Sequence, residues 1–205
     1  MKPLFEDKGV LIPNGRQPEF AIDSLFIRRW SPRAFDPTPI PENVLKSLFE
    51  AARWSMSCFN EQPWLFLYAT SSEDLKIYRS VLGEFNQKWT ATAPVVGFIF
   101  ARRRFALNDK PNHWALFDCG AAWMAMTMQA RMLGLYTHGM AGFDQNKAYS
   151  ALGILEKDYQ VVCAFAIGMY GDRESLPEDM KKNEFPGLRK PLEEIAKNGL
   201  PQITA

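Results

Sequence analysis

The longest apolar segment of the chain limits its fold more than any other feature. HWALFDCGAAWMAMTMQARMLG, residues 113–134, is apolar on almost every side of a helix and is long enough for about six turns. A helix without a polar face lies at the centre of a fold or in a subunit interface. Its uncharged part, residues 119–128, is well short of the roughly 18 residues that a membrane span needs. We therefore predict a helix packed within the protein or against a second subunit, and no transmembrane segment.

Helical and strand patterns alternate on both sides of this segment. Apolar residues recur at helical spacing in residues 21–30, 42–54 and 146–152, and in a helix that Ser71 or Ser72 begins and that continues to Phe85. Short apolar runs at 64–70, 94–101 and 159–171 predict strands, and residues 135–144 predict an extended segment and turn. Because the elements interleave irregularly, we predict an α+β domain whose central sheet is covered by helices and is parallel in part.

The length and the first residues bear on domain organisation. A chain of 205 residues is expected to bury a single hydrophobic core. Residues 1–21 mix charged residues with Pro and Gly and lack the apolar stretch of a secretory signal. We predict a loose N-terminal arm over residues 1–21, followed by one domain over residues 22–205.

Charge and cysteine usage exclude several classes of partner. A formal net charge of +1 offers no overall field to attract nucleic acid or an anionic membrane, so we expect neither as a partner, and any anion site must be local. Cys58, Cys119 and Cys163 form no C-x-x-C pattern, which indicates reduced thiols and a cytoplasmic protein. The two histidines are too few and too far apart to build a metal site with them.

The first candidate site is RRWSPRAF, where positive charge is concentrated in an otherwise neutral chain. Arg29, Ser31 and Arg33 offer cations and a hydroxyl group within one short segment, which is the chemistry that binds a phosphate group. A solvated loop with charges at its surface is the alternative, and the local sequence does not separate the two.

The second candidate is SMSCFNEQPW, residues 55–64. Ser57, Asn60 and Gln62 offer hydrogen-bond donors and acceptors beside Phe59 and Trp64, a combination that suits the edge and faces of a planar heteroaromatic ring. The same residues are also turn-formers between a helix and a strand, and that interpretation stays open.

The third candidate is HGMAGFD, residues 138–144. Gly139 and Gly142 let the backbone approach a ligand closely, and the amides of Ala141 and Gly142 could face a ring nitrogen and carbonyl. A plain turn is the alternative. The chain contains neither the G-x-G-x-x-G pattern of dinucleotide-binding folds nor the G-x-x-x-x-G-K-[ST] pattern of phosphate-binding loops.

Taken in order, these segments resemble the FMN-dependent nitroreductase family. The family's R-x-S-x-R-x-F pattern stands here as Arg29 to Phe35, and its A-P-S-G-x-N-x-Q-P-W block stands as SMSCFNEQPW. FNQKWTATAPVV, DCGAAWMAMTMQARMLGLYTHGMAGFD and GLRKPLEEIA match later blocks of the family in the right sequence. The resemblance covers about residues 22–197.

The resemblance implies a fold, an assembly and a cofactor. It implies a three-layer α/β/α sandwich of the α+β class with a central mixed β-sheet, in an intertwined homodimer with FMN at two interface sites. Arg29, Ser31 and Arg189 fall where the family holds the FMN phosphate. Arg33 falls where a cation faces the N1 and O2 edge of the flavin, a position that favours its reduced state.

The remaining matches concern the flavin ring. Ser57, Asn60 and Gln62 match a stretch that the partner subunit donates, and Asn86 matches a contact to the ring edge or ribityl chain. The amides of Ala141 and Gly142 match contacts to N5 and O4. Two further positions in the cofactor-binding segments depart from the family: Trp30 stands where His or Arg is common, and Met56 stands where Pro is usual. Cys58 also replaces a common Gly.

The chemistry that the resemblance implies takes place on FMN, without a side-chain nucleophile or a metal. NAD(P)H gives a hydride to N5 and leaves, and a nitroaromatic, quinone or similar electron-poor acceptor then takes the electrons from the same face. A flavin-binding sensor or storage dimer, and a dehalogenating or flavin-fragmenting branch of the family, are the alternatives. Residues 102–112 are expected to form the lid of the pocket.

Overall fold

The fold is organised around a four-stranded antiparallel sheet. The computed structural model describes residues 4, 5, 7, 9 and 15–200, so most of the predicted N-terminal arm and the last five residues lie outside the described part. The strands are β1 (Trp64–Ala69), β2 (Val95–Arg102), β3 (Tyr136–Met140) and β4 (Tyr159–Gly168), in the order β1-β2-β4-β3. The helices are α1 (Ser24–Arg28), α2 (Glu42–Arg53), α3 (Ser72–Val81), α4 (Glu84–Thr90), α5 (Ala115–Met132), α6 (Gln145–Leu152), α7 (Glu178–Lys181) and α8 (Leu192–Ile195).

The prediction of a mixed, partly parallel sheet is wrong for the described strands, all of which pair antiparallel. Between β1 and β2 the chain forms two helices instead of one, and it returns to the end of the sheet at which β1 stopped. The long helix α5 returns the chain to the end of the sheet at which β2 began, so that β3 runs in the same direction as β2. However, β4 lies between β2 and β3 and pairs antiparallel with both.

Helices cover both faces of the sheet, which confirms the three-layer α+β architecture. Alternate residues of β2 point to opposite faces: Phe98 and Phe100 belong to one buried cluster, and Val95 and Ile99 belong to the other. Residues of α3, α4 and α6 complete the first cluster, and residues of α2 and α5 complete the second. Each face of the sheet therefore has its own apolar core.

The apolar helix α5 is buried on only one side. Cys119, Ala122 and Met126 pack against the sheet and α2. The opposite side leaves large apolar side chains in solvent, and Phe117 is 72% exposed. Within the described residues α5 thus has an apolar surface that nothing covers, which fits the expectation of a subunit interface.

Two predicted helices differ from those observed. Ser71 caps α3 as predicted, with its side chain accepting a hydrogen bond from the amide of Asp74, but the helix ends at Val81 and α4 starts after Gly83. The helix predicted over residues 21–30 is reduced to the five residues of α1. Its apolar positions Ile22 and Phe26 are exposed, so the helical spacing there did not indicate a core-facing side.

Candidate functional site

Two arginines from opposite ends of the chain meet where α1 ends. Arg29 follows α1 directly, and its guanidinium lies 3.5 Å from the hydroxyl oxygen of Ser31. Burial lowers the pKa of Arg29, and the positive charges of Arg189 and Arg131 lower it further. Arg131 has a counter-ion in Asp7, whereas Arg29 and Arg189 form no salt bridge within the described residues. Arg29 and Arg189, two like charges without a counter-ion of their own among the described residues, form a candidate anion site.

Arg16 is a third cation of this cluster and was missed by the sequence analysis. Its side chain donates to the carbonyl oxygens of Gly187 at 2.7 Å, Ile27 at 2.9 Å and Arg29 at 2.7 Å. Burial lowers its pKa to about 10, with further contributions from Arg189 and Arg29. Arg16 therefore joins the N-terminal arm, the end of α1 and the C-terminal tail. A single arginine in a segment without a pattern carries no local signal of this role.

A buried carboxylate holds the segment that carries Arg33. One oxygen of Glu184 accepts hydrogen bonds from the backbone amides of Arg33 at 2.8 Å and Ala34 at 2.9 Å. Glu184 is only 1% exposed, and burial raises the pKa of its carboxyl group although the two amides and the Arg33 charge act in the opposite direction. This residue, too, was not found from the sequence.

The first and third candidate segments lie along the edge strand β3. Tyr136, at the start of β3, contacts the ring of Trp30, with 6.0 Å between ring centroids. Two residues further on, the Nδ1 of His138 lies 2.7 Å from the carbonyl oxygen of Pro32, beside Arg33. Gly142 follows the end of β3, roughly 20 Å from Tyr136 at the usual rise of a strand. The order along this edge is thus arginine cluster, Arg33, then the 141–142 backbone.

Trp30 does not present its ring to the arginine cluster. It is buried, and it packs against Tyr136 and also against Tyr170, with 5.5 Å between ring centroids. Unlike Arg29 and Ser31, Trp30 therefore places its side chain in the core.

Asn86 anchors the turn that contains Ala141 and Gly142. Its side-chain nitrogen donates to the carbonyl oxygen of Gly142 at 2.9 Å, and its side-chain oxygen accepts from the indole of Trp89 at 3.0 Å. A Cβ atom on Gly142 would lie 2.8 Å from that side-chain nitrogen, so a larger residue there would push the Asn86 side chain out of its hydrogen bonds. The amides of Ala141 and Gly142 donate to no acceptor in the described part of the chain, and both residues are exposed.

His138 is a neutral residue beneath this edge. Burial lowers its pKa to about 4, and the positive charge of Arg33 acts in the same direction, while the hydrogen bond to Pro32 opposes them. Because a carbonyl oxygen only accepts, Nδ1 carries the proton and donates it to Pro32. The imidazole also packs on Trp89, with 4.6 Å between ring centroids.

We expect His138 to make the protein lose stability in mild acid. The unfolded chain binds a proton at this residue below pH 6.5, whereas the folded protein does so only at about pH 4. The contribution of His138 to the free energy of unfolding should therefore fall by about 3 kcal/mol between these two pH values. Urea unfolding across this range should show the loss in the wild type and in His113→Gln, and not in His138→Gln. An equal loss in His138→Gln would contradict the assignment.

The segment Met56–Gln62 is held by hydrogen bonds, and four of its seven residues are exposed. The amide of Cys58 donates to the buried carboxylate of Asp118, in the first turn of α5, at 3.1 Å. The Ser57 hydroxyl oxygen accepts from the Gln62 amide at 3.0 Å, and the side-chain nitrogen of Gln62 donates to the Asn60 carbonyl at 3.0 Å. Phe59, Asn60 and Gln62 have φ values of +52°, +57° and +52°, an unusual run of left-handed residues without glycine.

This segment lies at the opposite end of the sheet from the arginine cluster. It leads into Trp64, which pairs with Ala101 near the end of β2, whereas Tyr136 pairs with Gly168 at the other end. The eight residues of β2 between the two ends span roughly 26 Å. One chain therefore brings Arg29, Ser31, Arg33, Asn86, Ala141, Gly142 and Arg189 along one edge, and leaves Met56, Ser57, Asn60 and Gln62 apart from them.

Two other classes of site find no support in the described residues. No group of three or more His, Cys, Asp or Glu side chains in residues 15–200 is placed to hold a metal ion. None of the described helices has the length and apolar character needed to span a bilayer.

The fold and these residues define an α+β domain with a candidate anion site at the edge of an antiparallel sheet. The nitroreductase family model matches residues 27–87 and 80–169. A crystal structure of an oxidoreductase containing FMN is 40% identical, covering 92% of this chain and 96% of that one, with a TM-score of 0.87. The chain belongs to the nitroreductase family.

Two further relatives agree with this assignment. A protein of Xanthomonas oryzae pv. oryzae, provisionally named an NADH dehydrogenase/NAD(P)H nitroreductase, is 28% identical in an alignment of 149 residues that covers 64% of this chain and 76% of that protein. The structure of a provisionally named nitroreductase from Exiguobacterium sibiricum in complex with FMN has a TM-score of 0.72 at 21% identity, covering 88% of this chain and 98% of that one, and shows the likeness of fold.

Proposed function

We propose that this chain is an FMN-dependent oxidoreductase that uses NAD(P)H to reduce nitroaromatic compounds, quinones or similar electron-poor acceptors in a ping-pong cycle. The observation that carries the proposal is the meeting of Arg29 and Arg189 without a carboxylate between them. The 40%-identical oxidoreductase, which contains FMN, supports the choice of ligand.

The residues at the arginine cluster fit the phosphate of FMN. Burial and the positive charge of Arg189 both lower the pKa of Arg29. A dianion between the two guanidinium groups would offset their repulsion and accept hydrogen bonds from both. The hydroxyl group of Ser31, at 3.5 Å from Arg29, adds a neutral donor. Arg29, Ser31 and Arg189 would hold the phosphate, and Arg16 would hold Arg29 and the tail in place.

The residues further along β3 fit the flavin ring. FMN held here would supply the hydride chemistry between a reduced nicotinamide and an electron-poor acceptor. Arg33 supplies a fixed positive charge, which favours the form that carries the extra electrons. The amides of Ala141 and Gly142 supply donors that have no acceptor in the described part of the chain, and Asn86 orients them through its bond to Gly142.

The proposed site requires a second copy of the chain. Met56–Gln62 and the arginine cluster lie at opposite ends of one sheet, so one chain cannot place both around a single flavin. In a two-fold dimer, the segment of one subunit reaches the cluster of the other at each of two sites. Met56 is 78% exposed and Phe59 is 90% exposed, and the uncovered side of α5 adds apolar surface for the interface.

The cysteines support a reducing, cytoplasmic location. Cys58, Cys119 and Cys163 are all free thiols. Burial raises the pKa of Cys119 to about 12 and that of Cys163 to about 11, so both are held as unreactive thiols.

The colour of the purified protein tests the proposal. We expect a yellow protein with bound FMN that bleaches when NADPH or NADH is added without air, and that recovers its colour when a nitroaromatic compound or a quinone is added. A yellow protein that never bleaches would be a flavin-binding sensor or storage dimer instead of an enzyme. Recovery only with a halogenated substrate, or loss of the flavin itself, would indicate the other branches of the family. A colourless protein that does not take up FMN would overturn the proposal.

A further inference from the structure

A cavity at the end of β2 has no role in the proposed flavin site. It has a volume of about 440 Å³ and lies where β2 ends and the chain turns back towards α5. Its lining contains the cations Arg102, Arg103, Arg104 and Lys157 and no Asp or Glu. The whole chain carries a formal charge of only +1, so this is a local concentration of positive charge.

Two of these cations are available to a ligand. Arg103 donates through Nε to the carbonyl oxygens of Glu156 at 2.7 Å and Tyr159 at 3.2 Å, and Arg104 pairs with Asp109 at 3.6 Å. Among residues 15–200, by contrast, Arg102 and Lys157 form neither a hydrogen bond nor an ion pair through their side chains.

A buried donor in the cavity wall also lacks an acceptor. Asn112 lines the cavity and is 7% exposed, and its side-chain oxygen accepts from the amide of Trp114 at 3.1 Å. Its side-chain nitrogen has no hydrogen-bond partner within the described residues. This nitrogen is closed off from solvent, so Asn112 forms part of the cavity wall and is not a donor to a ligand.

The cavity adjoins the segment that the proposed function places at the flavin. The ring of Phe105 contacts that of Phe59, with 6.0 Å between centroids, and the amide of Ala106 donates to Glu61 at 2.8 Å. The loop that borders the cavity is thus fixed to Met56–Gln62. The cavity lies at the other end of the sheet from the arginine cluster of the same chain, so it is not the FMN phosphate site.

We propose that this cavity binds the 2′-phosphate of NADPH and makes the enzyme prefer NADPH to NADH. The inference rests on the proposed function, because it concerns the reductant of that same flavin. A phosphate monoester carries close to two negative charges at neutral pH and has three acceptor oxygens. Arg102 and Lys157 supply two unpaired cations to this phosphate. NADH shares every other group of NADPH and lacks only this phosphate.

Calorimetric titration of the FMN-loaded protein with NADP⁺ and with NAD⁺ tests the preference. We expect Arg102→Ala to weaken NADP⁺ binding by about 30-fold, the usual cost of one charge-assisted hydrogen bond, and to change NAD⁺ binding by less than about twofold. Lys157→Ala should act in the same direction. The matched control is Lys76→Ala, an exposed lysine of α3, and it should change neither. Equal weakening of NADP⁺ and NAD⁺ would indicate a contact to the shared diphosphate and would overturn the proposal, as would no change.

A second titration separates this inference from the proposed function. Adenosine 2′,5′-bisphosphate needs neither flavin nor turnover, and we expect the wild type to bind it more tightly than Arg102→Ala does. If the bisphosphate binds the wild type more tightly than Arg102→Ala, but the protein does not take up FMN, the cavity assignment holds and the proposed function fails. If the protein is yellow and NADPH and NADH bleach it equally well in both variants, the proposed function holds and the cavity assignment fails.

Discussion

Replacing both Arg29 and Arg189 with alanine should weaken FMN binding by about 1000-fold. Each guanidinium contributes a charge-assisted hydrogen bond to the phosphate, worth about 2 kcal/mol, and the loss of two such bonds corresponds to roughly three orders of magnitude in Kd. Fluorescence titration of the apoprotein with FMN measures this change. An unchanged Kd would contradict the assignment of the cluster to the phosphate.

The same double substitution should not destabilise the protein when FMN is absent. Arg29 lies beside like charges that lower its pKa, and its removal relieves that repulsion. Urea unfolding of the apoprotein at low salt should therefore show the double variant to be at least as stable as the wild type. A large loss of stability would mean that the arginines serve the fold instead of a ligand.

Arg28→Ala is the matched control for both measurements. Arg28 precedes Arg29 directly in α1 but is exposed, and it has no part in the cluster. We expect its replacement to leave both the FMN affinity and the apoprotein stability close to those of the wild type.

Glu184→Leu should lower the free energy of unfolding by about 4 kcal/mol. The carboxylate oxygen accepts from the amides of Arg33 and Ala34 in a site that is 1% exposed. Leucine has a similar volume but no acceptor, so two buried amides lose their partner, at about 2 kcal/mol each. Equilibrium unfolding in urea measures the difference.

Glu184→Gln is the control for the loss of the acceptor. Its side-chain oxygen can accept from the same two amides, and it removes a charge that burial disfavours, as the raised pKa of Glu184 indicates. We expect this variant to lose less than half of what Glu184→Leu loses. Equal losses in the two variants would mean that the two hydrogen bonds do not account for the role of Glu184.

The parts of the fold that were predicted correctly are those determined by residues close together in the sequence. Val44, Leu45 and Leu48 share one face of α2 because helical periodicity is a local property, and all three are buried as expected. The sheet pairing was predicted wrongly because it depends on which strand enters between β2 and β3, and β4 comes from a later part of the chain. No spacing within β2 or β3 encodes that choice.

The residues of the candidate site also differ in whether the sequence alone could identify them. Arg29, Ser31 and Arg33 could be singled out because their chemistry is concentrated within five positions. Glu184 could not, because it contacts Arg33 across 151 positions of sequence and lies in no motif. Trp30 illustrates a third case: it belongs to the same motif as Arg29, but its apolar ring enters the core between Tyr136 and Tyr170.

The measurement that tests the central claim most directly is sedimentation velocity, followed at the absorbance of the flavin. If the arginine cluster of one chain and Met56–Gln62 of another enclose a single FMN, then the flavin sediments only with the dimer. Added FMN should also shift dilute apoprotein from monomer to dimer, because binding and association are linked. A monomer that retains FMN with the affinity of the undiluted protein would contradict the claim.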